Sequence, residues 1–77
     1  MDIREVFAVN LRRFRHAKGL SQEELADAAG INRTYLSKLE TASTFAGLEI
    51  IAKLARVLEV QPSEFLKMPP SRTRRRN

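Results

Sequence analysis

Two short helical segments around one glycine, in the middle of the chain, leave few folds open. Ser21-Gln22-Glu23-Glu24 is a capping box, a compact signal that starts a helix. The segment it opens carries Leu25, Ala26 and Ala29 inward and stops at Gly30, a residue that turns the chain with φ > 0 at no steric cost. Asn32 then caps a further segment over 33–40, with Leu36 and Leu39 as its buried pair, and Ile31 is expected to plug the angle between the two helices. A turn of three to four residues sets such helices near perpendicular and lets the second enter a DNA major groove. Many helical bundles also hold two short helices around a Gly, so geometry alone leaves DNA binding and a plain bundle equally open.

The rest of the chain reads as helix too. No window alternates with period two, and only three Gly and three Pro punctuate it. A first helix is predicted over 2–18, with Asp2 as N-cap, Glu5 at the capping-box position and Gly19 as the left-handed stop. Phe7, Leu11 and Phe14 make its apolar stripe, while Arg12, Arg13, Arg15, His16 and Lys18 load the end where the helix dipole favours cations. Residues 41–47 form an uncharged loop whose Phe45 is expected to pack back onto the core. A fourth helix over 48–58 is predicted to turn Leu48, Ile51, Ala52, Leu54, Ala55 and Leu58 inward. Pro62 opens a short fifth helix, ended by Met68-Pro69-Pro70, with Phe65 as a core candidate beside Phe7 and Phe14. The expected architecture is all-α: one five-helix domain over 1–70, then a basic disordered tail over 71–77.

Composition excludes several function classes. Without Cys there are no disulfides, no thiol catalysis and no usual zinc framework, and His16 alone makes no metal site. No paired carboxylates or phosphate-cradling Gly loop suggest an enzyme. A small bundle has little room for a ligand cavity, so neither cofactor nor small-molecule ligand is expected. No apolar run approaches the ~20 residues of a membrane span, and Met1-Asp2-Ile3-Arg4-Glu5 does not read as a signal peptide, so the cytoplasm is the expected compartment. The net charge is +5, from 14 basic and 9 acidic side chains. Arg72, Arg74, Arg75 and Arg76 supply four of those cations, which leaves residues 1–70 with 10 against 9. Basicity of the globular part therefore cannot carry a nucleic-acid reading; pattern must.

The pattern is specific. Leu11-Arg12-Arg13-Phe14-Arg15, Gly19-Leu20-Ser21-Gln22-Glu23-Glu24-Leu25-Ala26 and Ala29-Gly30-Ile31-Asn32-Arg33-Thr34-Tyr35-Leu36-Ser37-Lys38-Leu39-Glu40 together resemble the Cro/phage-repressor-type (XRE) helix-turn-helix family. The likeness covers about residues 5–67, including the 48–66 stretch. It implies a lambda-repressor-like five-helix domain with its helix-turn-helix at helices 2 and 3, acting on double-stranded DNA as a transcription regulator and usually as a dimer. The short form and Arg33-Thr34-Tyr35-Leu36-Ser37 are further similar to the controller proteins of restriction-modification systems.

Residue roles follow from the resemblance, and the chemistry suits them. Arg33, Thr34, Ser37 and Lys38 match positions that reach base edges. Arg33 offers two donors to guanine O6 and N7, Lys38 a charge, and Thr34 a methyl for thymine. Ser21, Gln22 and Asn32 at helix starts, Tyr35, and Thr41 and Ser43 in the loop are candidate phosphate contacts. Tyr35 is equally suited to covering the helix edge. Arg15 and Glu40 match a family pair that ties the first helix to the end of the third. The loop departs from the family: it lacks the usual basic residues, and Gly47 stands where a capping Ser is usual. The arginine tail either replaces that lost charge along the DNA backbone or stays in solvent. One reading helix spans few base pairs, so a homodimer is expected, with Ile50, Val57, Leu66 and Met68 as its apolar face. On the other reading of those residues, Ile50 packs under Phe45 and Val57 stands isolated. The competing function is a protein-interaction module, such as an antitoxin-like partner on the same fold.

Overall fold

The computed structural model describes residues 2–69; the arginine tail lies outside them. Four α-helices run in order, α1 (Ile3–Ala17), α2 (Gln22–Ala29), α3 (Arg33–Glu40) and α4 (Leu48–Leu58), followed by a 3-10 helix, Pro62–Leu66. The expected fifth helix is thus not α-helical. Pro62 signals a helix start equally for both types, and five residues are too few to sustain the i→i−4 ladder. Among the described residues no helix is long and apolar enough to cross a membrane.

Local signals set the boundaries. Asp2 and Glu5 form a full capping box on α1, and Ser21 and Glu24 form one on α2. The Tyr35 amide donates to Asn32 Oδ1 at 3.2 Å to start α3. Gly19 and Gly30 hold φ near 70°, ending α1 and α2 in the left-handed region. The backbone hydrogen bond to Arg4 holds the Asp2 carboxyl below its ordinary value.

The core gathers Phe7, Leu11, Leu25, Leu36, Leu39, Leu54, Leu58 and Phe65. Phe65, fully buried, meets Phe7 at 5.1 Å and the edge of Phe14 at 5.6 Å between ring centroids. Asn10 fastens this closure. Its Nδ2 donates to the carbonyls of Phe65 at 2.8 Å and Lys67 at 2.7 Å, and its Oδ1 accepts from Arg13 at 3.1 Å. Lys18 pairs with Glu59 between the ends of α1 and α4, and that bond holds the Glu59 carboxyl low. The tie is therefore present above the ordinary carboxylate range and weakens as pH falls through it.

Three expectations are corrected. Leu48 is 86% exposed and Ala52 is exposed, so the inward stripe of α4 is Ile51, Leu54, Ala55 and Leu58. The main partners of α4 are α2 and the 3-10 helix. Phe45 does not enter the core: it is 66% exposed, with the Arg4 guanidinium 4.8 Å above its ring. An aromatic at a cation's face keeps both groups partly wet at little cost.

Ala42 sits at φ 60°, where a Cβ crowds the backbone. Ala42→Gly is expected to raise stability by about 0.5–1 kcal/mol, after its greater unfolded-state entropy is counted. In a thermal melt followed by circular dichroism this is about 2–8 °C of Tm; an unchanged or lowered Tm would show that the turn is unstrained.

Candidate nucleic-acid interface

α3 turns Leu36 and Leu39 into the core, which leaves Arg33, Thr34 and Lys38 exposed and Ser37 half-buried. The four base-contact candidates thus lie on the side of α3 turned from the core, where they present a guanidinium, an ammonium and two hydroxyls. Arg33 stands at the start of the helix and Lys38 near its end.

The inner end of α3 is gripped from two other helices. Glu40 is 2% exposed, with its carboxylate satisfied on both oxygens. Arg15 Nε donates to Oε2 at 2.6 Å and Arg15 Nη2 to Oε1 at 3.0 Å, and Gln22 Nε2 donates to Oε1 at 3.0 Å. Arg12 donates to the Glu40 carbonyl oxygen, and Arg15 Nη1 reaches the Leu20 carbonyl oxygen at 2.9 Å. A buried ion pair with three donors on its carboxylate fixes geometry more surely than it adds stability.

Each phosphate-contact candidate already has a partner inside the chain. Ser21 Oγ accepts from the Glu24 amide at 3.0 Å, and Gln22 reaches Glu40. Asn32 caps α3, and Tyr35 donates its hydroxyl to the Phe45 carbonyl at 3.2 Å, steadying the 41–47 loop. Thr41 Oγ1 donates to the Ser37 carbonyl at 3.1 Å and lies 2.8 Å from Ser43 Oγ. Sequence reasoning missed Asn10, the carbonyl bond of Arg12 and the bond from Gln22 to Glu40. Only Asn10 left a signal, as an amide set among Phe7, Leu11 and Phe14 on the inward stripe.

Of the proposed dimer residues, Leu66 and Met68 are exposed, whereas Ile50 and Val57 are half-buried against the core. Ile3, Phe45 and Leu66, all exposed, edge an apolar cleft of about 180 Å³ floored by Phe7 and Ile51.

The fold is a small all-helical domain among the described residues, and its likenesses are to helix-turn-helix proteins. The family described as "Helix-turn-helix domain" matches residues 6–67. The structure of the hypothetical transcription factor NHTF from Neisseria is 44% identical with a TM-score of 0.85, over 88% of this chain and 78% of that one. The restriction-modification controller protein C.AhdI from Aeromonas hydrophila superimposes with a TM-score of 0.78 at 40% identity, over 80% of this chain and 94% of its own. Control protein C.SmaI of Serratia marcescens is 36% identical over 66 residues, 86% of this chain and 79% of the relative. The chain belongs to the helix-turn-helix domain family, and with it to the DNA-binding transcription regulators of the XRE-like type.

Proposed function

We propose that this protein regulates transcription by reading double-stranded DNA sequence in the major groove with α3, as a homodimer, with α2, the turn at Gly30 and α3 as its helix-turn-helix. The observation that carries the reading is the pairing of opposites on α3. Its outer side is exposed and rich in donors, while its end is pinned through buried Glu40 to α1 and α2. Base readout needs that rigidity, because a bidentate contact tolerates little displacement. Ser21, Gln22 and Asn32 would meet phosphates beside the groove, with hydroxyl and amide protons to spare after their internal bonds, and Thr41 and Ser43 would do so only by exchanging a hydroxyl proton now held within the loop. Tyr35 serves the loop first, through Phe45. Selecting bound sequences from a random duplex pool tests the function and supplies half-site and spacing together; recovery of no preferred motif would refute it.

Within that reading, Arg33→Ala is expected to cost about 1–3 kcal/mol on the preferred site and to relax one base position. Titration of specific and random duplexes checks this, and equal losses on both would make Arg33 a phosphate contact.

For the dimer, exposed Leu66 and Met68 are the better-placed half of the proposed face, beside the cleft edged by Ile3 and Phe45. A monomer rarely leaves such residues bare together. Leu66→Glu is expected to turn a dimer at ~100 μM into a monomer in sedimentation equilibrium. A wild type that is monomeric there would remove the solution dimer, and an unaffected dimer would place the contact elsewhere.

A further inference from the structure

We propose that Gln22 is a positioning residue for α3: through Glu40 it sets the tilt at which the reading helix meets the bases. The inference rests on α3 as the reading helix. Arg15 alone would hold the buried carboxylate from α1 only, and a carboxylate gripped by one guanidinium can still swing about that pair. Gln22 adds a donor from a different helix, α2, at 3.0 Å on Oε1, and removes the swing. The lever is long for so short a helix. Arg33 stands seven residues from Glu40, about 10 Å along the axis, so a tilt of about 10° at Glu40 carries Arg33 through about 2 Å. Hydrogen-bond distances span a window of only about 0.5 Å. Freedom too small to matter at the pin is therefore ruinous at a base edge.

Gln22 is also the first residue of α2, where the backbone N–H groups of Gln22 and Glu23 have no acceptor within the helix. An amide nitrogen carries two protons, and Glu40 takes one. The other suits a DNA phosphate oxygen, so docking on the backbone and holding the tilt do not compete. One side chain then links the two: the contact that places the domain on the duplex also braces the helix that reads it.

The test compares Gln22→Met, similar in length and without a donor, with the wild type on the selected site and on random duplex. Affinity for the selected site is expected to fall about 10-fold and that for random duplex about 3-fold or less, so the specificity ratio contracts. A plain phosphate contact, or a general loosening of the fold, would lower both equally; an unchanged ratio overturns the proposal. In an Arg15→Met, Glu40→Leu background, which leaves Gln22 no acceptor at position 40, the same change is expected to leave the ratio where that background sets it. Continued contraction there would show that Gln22 reads DNA directly, against the proposal. A third arm uses no DNA. In nitrogen NMR of the free protein, Gln22→Met is expected to shift the Arg15 Nε–H and the α3 amides, and silence at both overturns the link. A wild type without sequence preference would instead fail the functional reading, and the positioning role with it, even where the NMR link between Gln22 and Glu40 is seen.

Discussion

Arg15→Met is expected to lower the unfolding free energy by about 3–5 kcal/mol, because it leaves the Glu40 carboxylate buried without its counter-ion. Domains of this size have about 4–12 kcal/mol in all, so a large part of the folded state's margin goes with one side chain. Urea unfolding followed by circular dichroism measures it. A loss below about 1 kcal/mol would mean that the pair behaves as a surface ion pair despite its burial. The double change Arg15→Met with Glu40→Leu separates stability from function. Replacing both charges by apolar groups is often neutral, so the double variant is expected to recover most of the stability. It is not expected to recover sequence preference, since the side-chain pin from α1 and α2 is gone and only the Arg12 bond to the residue-40 carbonyl still holds the end of α3. A double variant that reads its site as well as the wild type would assign the pair to folding alone.

Phe65→Ala is expected to cost a further about 3–5 kcal/mol, the usual penalty for emptying a buried aromatic site. Phe65 is fully enclosed, and its ring is what Phe7 and Phe14 pack against. Removing it uncovers the apolar side of α1 and undoes the reason for the 3-10 helix to dock. The effect in a thermal melt is a fall in Tm of more than about 10 °C. A fall of only a few degrees would make the 3-10 helix an appendage to a core complete without it.

These two residues differ in how plainly they could be read. Phe65 was visible as a core candidate, and Arg15 with Glu40 by resemblance to a family pair. Legibility followed distance along the chain. Asp2 with Glu5, Ser21 with Glu24, and Asn32 each act within three residues, so their caps were written in consecutive letters. The partners of Asn10 stand 55 and 57 residues away, and that of Gln22 stands 18 away, beyond any local pattern. Periodicity places Leu48 on the stripe of α4 but cannot say how far along a helix its neighbours cover it, and Leu48 stands exposed. An aromatic ring in an uncharged loop points to the core, yet the Arg4 guanidinium, far off in sequence, meets Phe45 outside it. The exposure of Arg33, Thr34 and Lys38 followed directly from burying Leu36 and Leu39. What they touch on DNA is written in neither the letters nor the free domain.

The clasp of Asn10 on the carbonyls of Phe65 and Lys67 also orders events in time. α1 is made before the 3-10 helix, so Phe7 and Phe14 exist while the ring they enclose is still some fifty residues from synthesis. Until then α3 covers the apolar side of α1 only in part, and the unfinished core still exposes the faces of Phe7 and Phe14 that Phe65 will close. Tertiary structure closes only when residue 67 is free to reach back, so the domain should pass from binding-incompetent to competent in one step, with no half-built form to occupy a promoter.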